Sequence, residues 1–600
     1  MYYYNPWNLD YKQPFGAIKV GNSMSLRFTT DQPSVLVTCV IRRDFGKRYE
    51  FSMSKDSGGD FRLTIPFDEE PGLYFYHFEI VESSDLGETR RFYGCSGIGG
   101  EGLLYTDEND VKPYQLTVFE KEDQAPSWYR EAVFYQIFPD RFYNGNENGQ
   151  INHPKPNSFI YGRKTDSPFY VKEENGDIAR WDFFGGNLRG IIKKIPYLKE
   201  LGINAIYLNP IFSGTSNHRY DTNDYLKIDS MLGRQEDFEE LIQLLHQEKM
   251  HLILDGVFSH VGKNSLYFNI NGDYGDDEGA AKNPDSPYFD WFKFENYPFE
   301  YKSWWGIKDL PEIDKDNDSF RNFIYGEKNS VLAKWNDLGI DGWRLDVADE
   351  LPDSFIKGIR ENLDSYSDKI LIGEIWEDAS NKISYGKRRN YILGGSLQAA
   401  MNYPFRDLII NLLNGHRSSQ DVAHQLMTLQ ENYPKDIFYN NLNNLGTHDT
   451  ERILTMVGEK NLSVALAMLF VLPGIPCIYY GDEAGLSGGK DPENRKYFPW
   501  DNISPNVYNA YKSWTQKRLS ENSLKYGEFS TFFTDRLLGI LRYTDSEVFV
   551  ELINPSEDEL NIEVQEIIFL QNLKFLPELK KLLTEKVISG KTNLELKMKI

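Results

Sequence analysis

The sequence predicts a (β/α)8 barrel with a β-sandwich before it, an inserted subdomain after its third strand and a β-domain behind it. Three observations predict this. Eight short apolar runs alternate with helical segments between about 126 and 521; the segment 261–318 interrupts them with aromatic and acidic residues; and both ends of the chain hold β-branched and aromatic runs separated by turns.

The eight runs are AVFYQIF (132–138), NAIYLNP (204–210), HLILDGVF (251–258), GIDGWRLDV (339–347), ILIGEIW (370–376), LQAAMNY (397–403), NNLNNLGTH (440–448) and PCIYYGDE (476–483). Such runs suit parallel strands buried beneath helices. In DFEELIQLLHQEKM (237–250), Phe238, Leu241, Ile242 and Leu245 fall at i, i+3, i+4 and i+7, one apolar helical face. The expected domains are a β-sandwich over 1–123, the barrel over 124–260 and 319–521, the inserted subdomain over 261–318 and a β-domain over 522–600. In the first, SVLVTCVI, RYEFSMS and LYFYHFEIV read as strands. GIGGEG (97–102) fits a dinucleotide-binding pattern, but LLYTDENDVKP follows it where a helix should open, so it reads as a glycine loop. RLLGILRY, EVFVELIN and NIEVQEIIF read as the strands of the last domain.

Composition narrows the function. The 600 residues are 40% apolar and 26% charged, as in ordinary folded proteins. A net charge of −24 opposes binding to nucleic acid or anionic membranes and favours a neutral partner. The 14% aromatic content suits sugars, whose C–H faces pack on flat rings. The N-terminus lacks a signal-peptide pattern, and no 18-residue apolar stretch is present, so a cytoplasmic location is expected. Cys39, Cys95 and Cys477 are too few and too scattered for a disulfide framework or thiolate metal site.

Barrel enzymes carry their chemistry at the carboxyl ends of strands. Here strand three ends in DGVFSH with Asp255 and His260, strand four in GWRLD with Arg344 and Asp346, strand five in GEIWED with Glu374, and strand seven in GTHDTER with His448 and Asp449. Carboxyl groups on adjacent strand ends suit glycosidic cleavage, in which one attacks and another protonates the leaving oxygen. Asp346 is expected as nucleophile, held ionised by Arg344, and Glu374 as acid/base, kept protonated by charge on Asp346 and Asp449.

DGVFSH, GWRLDVADE, GEIWEDA and NNLGTHDT, in this order, resemble the four characteristic regions of the α-amylase superfamily, family thirteen of the glycoside hydrolases. The resemblance spans about 126–521 and implies a retaining α-glucan hydrolase. It implies catalytic roles for Asp346, Glu374 and Asp449, and a sugar subsite lined by Arg344, His260, His448, His218 and Tyr220, the last two from NHRYDTNDY (217–225). The leading β-sandwich, GEIW, MNYPFRD and GDEAGLSGGKDPENRKYFPW resemble neopullulanases, cyclomaltodextrinases, maltogenic amylases and amylopullulanases, which implies further sugar contacts at Trp376, Asp491 and Arg495 and cleavage of α-1,4 links, often with α-1,6. Ser259, Glu377 and LPEID (310–314) depart from that pattern and leave linkage preference open. A transferase or isomerase of the same superfamily, or a non-catalytic carbohydrate-binding protein, is the alternative.

The chemistry requires no cofactor. Relatives often hold calcium near FYNGNENGQ and FFGGNLRG, which would make Asn144, Asn146, Gly185 and Asn187 its ligands; an asparagine-rich turn is the other reading. The N-terminal domain is expected to lid its own barrel, to bind glucan, or to cover a neighbour's site in a homodimer.

Overall fold

The structure is a computed structural model that describes residues 1–32, 34–68, 70–84, 87–174 and 176–600. The eight predicted runs form one parallel sheet: β1 (Phe134–Ile137), β2 (Ala205–Leu208), β3 (His251–Gly256), β4 (Gly342–Leu345), β5 (Ile370–Gly373), β6 (Ala399–Ala400), β7 (Leu442–Asn444) and β8 (Ile475–Tyr479). Each strand from β1 to β6 neighbours the next, β8 pairs with β1 and β7, and a parallel bridge between Met401 and Leu442 joins β6 to β7. The sheet closes into a barrel, which removes its edges.

The strand side chains of β1, β2, β4 and β5 are all buried, as a parallel sheet covered by helices requires. Helix Gln235–Gln247 buries Phe238, Leu241, Ile242 and Leu245, the predicted face. Helix Ile453–Val471 is apolar and long enough to cross a membrane, yet 61% of it is buried inside the molecule, where it covers the barrel between β7 and β8.

Two antiparallel sheets precede the barrel, centred on strands Ser23–Thr30 and Gly72–Ser84. GIGGEG is a loop that runs into strand Gly102–Tyr105, and no helix follows it. Gly99 and Gly100 adopt φ of +82° and +70°, and a Cβ on either would press into Trp7 at 2.6 and 2.8 Å. Only glycine fits there. Trp7 in turn donates through Nε1 to Glu431 of the barrel at 2.8 Å, so the loop docks one domain on the other.

After the barrel, Glu528–Phe533, Leu538–Tyr543, Glu547–Asn554 and Thr592–Lys599 form an antiparallel sheet. NIEVQEIIF departs from the expected single strand. It is broken into Leu560–Asn561, a 3-10 turn and Ile568–Phe569, because Ile562 and Ile567 must both reach the core beneath helix Leu576–Leu583.

Candidate active site

Parallel register decides which side chains meet at the barrel's carboxyl end. Leu345 on β4 lies level with Gly373 on β5, so the following residues, Asp346 and Glu374, leave the sheet side by side. They form the floor of a cleft of about 1360 Å3. Among the predicted residues, His218, Tyr220, His260, Trp376, His448, Asp449, Asp491 and Arg495 also line it, while Arg344 lies beneath with no exposure.

Arg344 Nη1 stands 2.7 Å from Asp255 Oδ1 and 2.8 Å from Asp346 Oδ1, and Nη2 stands 2.9 Å from Glu374 Oε2. The guanidinium expected to serve Asp346 alone therefore serves three carboxylates. Strand spacing predicted the contact within β4, but the contact with Glu374 depends on pairing between strands. Burial raises Asp346 well above the usual carboxylate range, and Arg344 opposes it; Asp255 is raised for the same reason against the same opposition. Ionisation of Asp346 thus requires Arg344 to offset burial.

Asp449 is pushed up to about 7, by burial first and then by the Glu374 charge, with Arg495 and Arg344 opposing. The sequence reading cast Asp449 as a source of charge acting on Glu374; here Asp449 itself holds a proton near neutrality. Asp255, Asp346 and Asp449, all raised by burial, interact closely enough to titrate together rather than singly.

A linkage prediction follows. The folded value of Asp449 lies above its unfolded value of 3.8, so the folded state loses stability as pH rises from about 4 through 7. Asp449→Asn escapes that loss. Its melting temperature should match wild type at pH 4 and exceed it by a few degrees at pH 8, a modest gain because 33% of the Asp449 side chain is open to the cleft. A variant melting below wild type at pH 8 would refute the assignment.

The three cleft histidines are neutral. Burial lowers His218 and His448 well below their ordinary value and takes His260 to about 3. Gln136 Nε2 faces His448 Nδ1 at 2.9 Å, which assigns the proton to Nε2. His448 Nε2 meets the Tyr220 hydroxyl at 2.6 Å, and that hydroxyl donates to Asp255 Oδ2 at 2.7 Å. The Tyr220 and His448 rings lie parallel, 5.1 Å apart. Ser259, in place of the commoner asparagine, holds His260 Nδ1 at 2.7 Å through its hydroxyl. Asp491 pairs with Arg495 at 3.0 Å and accepts from the Tyr170 hydroxyl at 2.7 Å.

Val347 turns the chain out of β4 with φ +41° and ψ +64°. That left-handed conformation costs a β-branched residue on the order of 1–3 kcal/mol. Its N–H donates to Glu374 Oε2 at 2.8 Å, and Trp376 Nε1 donates to Oε1 at 3.0 Å. Trp376 stacks on Tyr403 at 3.8 Å and leaves 43% of its surface exposed.

Sequence reasoning missed Gln136 and Tyr207, though both are strand residues that the strand-end rule reaches; Tyr207 donates to Asp255 Oδ2 at 2.6 Å. It also missed Trp181, Trp304, Trp305, Glu350 and Tyr385, which line the cleft from the connecting segments. Trp305 and Tyr385, 73% and 72% exposed, both donate to Glu350 Oε1, at 3.1 and 2.5 Å. Glu377 points to Lys382, and Glu312 of LPEID is held by Lys302 and Lys315.

Asn144 and Asn146 lie on one segment and Gly185 and Asn187 on another, joined by a hydrogen bond from Asn187 to Asn144, and their arrangement does not fit a calcium ion. Asn144 Oδ1 accepts from Asn146 N at 2.9 Å and Asn187 Nδ2 at 3.1 Å. Asn187 Oδ1 accepts from Gly145 N and Gly190 N, capping helix Leu188–Leu201. The Asn144 and Asn146 amide nitrogens donate to the Gln150 carbonyl, an oxygen a cation would claim. Asp140, which meets Gly185 N, also accepts from Phe184 N and Arg141. Calcium needs six to eight oxygens, with carboxylates among them; the Asn144 and Asn187 side-chain oxygens are already hydrogen-bonded, and none of the four residues supplies a carboxylate. Dialysis against a chelator is expected to leave activity and melting temperature unchanged; a loss restored by added Ca2+ would overturn this.

Comparisons with known proteins agree with this geometry. Residues 136–525 match the model of the alpha amylase catalytic domain. The chain is 36% identical over 590 residues to an amylopullulanase of Thermoanaerobacterium saccharolyticum, covering 87% of this chain but 45% of that protein. It thus spans less than half the length of that relative. It is 33% identical over 515 residues to a cyclomaltodextrinase of Thermoanaerobacter pseudethanolicus, covering 80% of this chain and 81% of the other. A solved maltogenic amylase from S. marinus superposes with a TM-score of 0.65 at 26% identity, over 97% of this chain and 81% of that one. A closed barrel with Asp346 and Glu374 adjacent on β4 and β5, matched over most of its length, shows that the chain belongs to the alpha-amylase family of glycoside hydrolases.

Proposed function

We propose that the protein is a retaining α-glucan hydrolase, with Asp346 as nucleophile, Glu374 as acid/base and Asp449 as the carboxylate that grips the sugar. One observation carries the reading: a single guanidinium contacts both Asp346 and Glu374. Side chains that leave adjacent strands level with each other and share one guanidinium support a retaining pair, at ~5–5.5 Å, over an inverting pair at ~6.5–9.5 Å. Asp346 Oδ1 faces Arg344, and among the described residues no hydrogen bond reaches Oδ2, which is the oxygen free to attack.

The Tyr220 ring and the neutral histidines suit an uncharged sugar ring and its hydroxyls. The names of the relatives support α-glucans, pullulan and cyclomaltodextrins as substrates. Product analysis on starch, pullulan and cyclomaltodextrin side by side tests this. Panose from pullulan would indicate α-1,4 cleavage and maltotriose α-1,6 cleavage, and the first product should carry the α-anomer by NMR. A β-anomer would sink the retaining assignment.

A second reading, glucosyl transfer, is favoured by the exposed aromatic side chains Trp305, Trp376 and Tyr385 on the cleft wall, which can hold an acceptor sugar in place of water. Products longer than the maltotriose supplied would establish it. The N-terminal domain is docked on its own barrel through Trp7 and Glu431 and through Asp44 and Arg388, at 2.8 and 2.6 Å, which supports its reading as a cover for its own barrel.

A further inference from the structure

We propose that Val347 is a positioning residue of the reaction: its peptide N–H, together with Arg344, holds Glu374 Oε2 unprotonated and thereby assigns the transferable proton to Oε1. The inference rests on the retaining-hydrolase reading and adds which atom of the acid does the work and what selects it.

The two oxygens of Glu374 have different surroundings. Oε2 accepts from Val347 N at 2.8 Å and stands 2.9 Å from Arg344 Nη2, in ion-pair contact. An N–H donor on one side and a permanent cation on the other leave no acceptor to receive an O–H from that oxygen. Oε1 accepts one hydrogen bond, from Trp376 Nε1 at 3.0 Å, and keeps its second lone pair. The proton therefore resides on Oε1.

The Val347 N–H reaches Oε2 because the chain leaves the sheet just after Leu345 and presents the peptide between Asp346 and Val347 to the neighbouring strand end. Up to Leu345 the β4 backbone is engaged in the sheet, where Glu374 N–H donates to the Leu345 carbonyl at 3.0 Å. The Val347 N–H meets the Glu374 carboxyl, and the left-handed turn at Val347 aims the next N–H, from Ala348, at the Glu374 carbonyl at 3.2 Å, so the two peptides clamp the same residue. A β-branched residue is costly in that conformation, and strain retained at a reacting group points to a positional role.

In the reaction the proton leaves Oε1 for the glycosidic oxygen as the bond from C1 to that oxygen breaks. The bonding pair goes to the leaving oxygen while an Asp346 oxygen forms the new bond to C1. In the second half, water attacks C1, the Asp346 bond breaks, and the water proton returns to Oε1. Throughout, Oε2 keeps its Val347 hydrogen bond.

The test replaces Val347 by its α-hydroxy acid analogue, which turns the peptide N–H into an ester oxygen and keeps the side chain. Hydrolysis of maltotetraose, which needs the acid, is compared with hydrolysis of α-maltosyl fluoride, whose leaving group does not. The ester variant should lose about 10²–10³-fold in kcat/KM on maltotetraose, the usual loss for one preorganised donor, and less than about threefold in kcat/KM on the fluoride, a constant that stops at the glycosyl-enzyme and leaves out the base-assisted second half. Equal losses on both substrates, or none on either, would overturn the proposal. If the ester chain does not fold, Val347→Gly keeps the N–H but loosens the turn that clamps Glu374 between the Val347 and Ala348 N–H groups, and should show the same preferential loss on maltotetraose; a loss equal on both substrates overturns it. Wild-type enzyme inert toward both substrates would instead defeat the hydrolase reading itself.

Discussion

Asp346→Asn should lower kcat by at least about 10⁴-fold on α-glucans and on α-maltosyl fluoride alike, while oligosaccharide binding persists. The amide cannot form the glycosyl ester on which both substrates depend, and it replaces the carboxylate at almost unchanged volume. Tyr220, His448 and Arg495 still line the cleft, so affinity for maltooligosaccharide by calorimetry should stay within about tenfold. Glu374→Gln is expected to separate the two substrates in kcat/KM, with a large loss on glucan and a small one on the fluoride, because only the glucan needs a proton to form the glycosyl-enzyme. A slow-reacting 5-fluoro glycosyl fluoride should label the wild-type peptide containing Asp346. A label elsewhere, or an Asp346→Asn chain turning over within tenfold of wild type, would remove the mechanism.

Arg344→Leu is expected to be the most damaging single change to the barrel. The guanidinium has no exposure and meets Asp255, Asp346 and Glu374 within 2.9 Å. Its removal leaves three buried carboxyl groups without a cation, a loss of about 3–5 kcal/mol at neutral pH. The cost has a pH signature. Without Arg344 the buried carboxylates gain stability by taking up protons, so the deficit should shrink from pH 8 to pH 5. Arg344→Lys should recover little, since one ammonium cannot present two separate nitrogens to Asp346 and Glu374. Thermal melts of both variants across that range test this; a leucine variant as stable as wild type at pH 8 would show that the carboxylates protonate without cost.

Much of this was legible in the chain. Apolar runs at strand length, separated by one-sided helices such as 237–250, predict the barrel, because a buried parallel strand and its covering helix impose their periods on local sequence. Asp346, Glu374, His448 and Asp449 were legible because they end such runs. By contrast, NIEVQEIIF reads as one strand and is two, since nothing local in it records that Ile562 and Ile567 must reach one core.

The sequence by itself determined the strand order, the identity of the chemical groups at the strand ends and the family. Each of these depends on residues near one another in the chain or on the order of motifs. Only the tertiary structure decided how the groups share charge and bonds: that Arg344 serves three carboxylates, that Asp449 is the group pushed toward neutrality, and that Asn144, Asn146 and Asn187 bond to one another across two segments. Only it placed Val347 in a left-handed turn with its N–H on the acid/base. The physical reason is common to all four. Hydrogen bonds and ion pairs act over about 3 Å, and which atoms come that close across the barrel is decided by strand register and packing rather than by spacing along the chain.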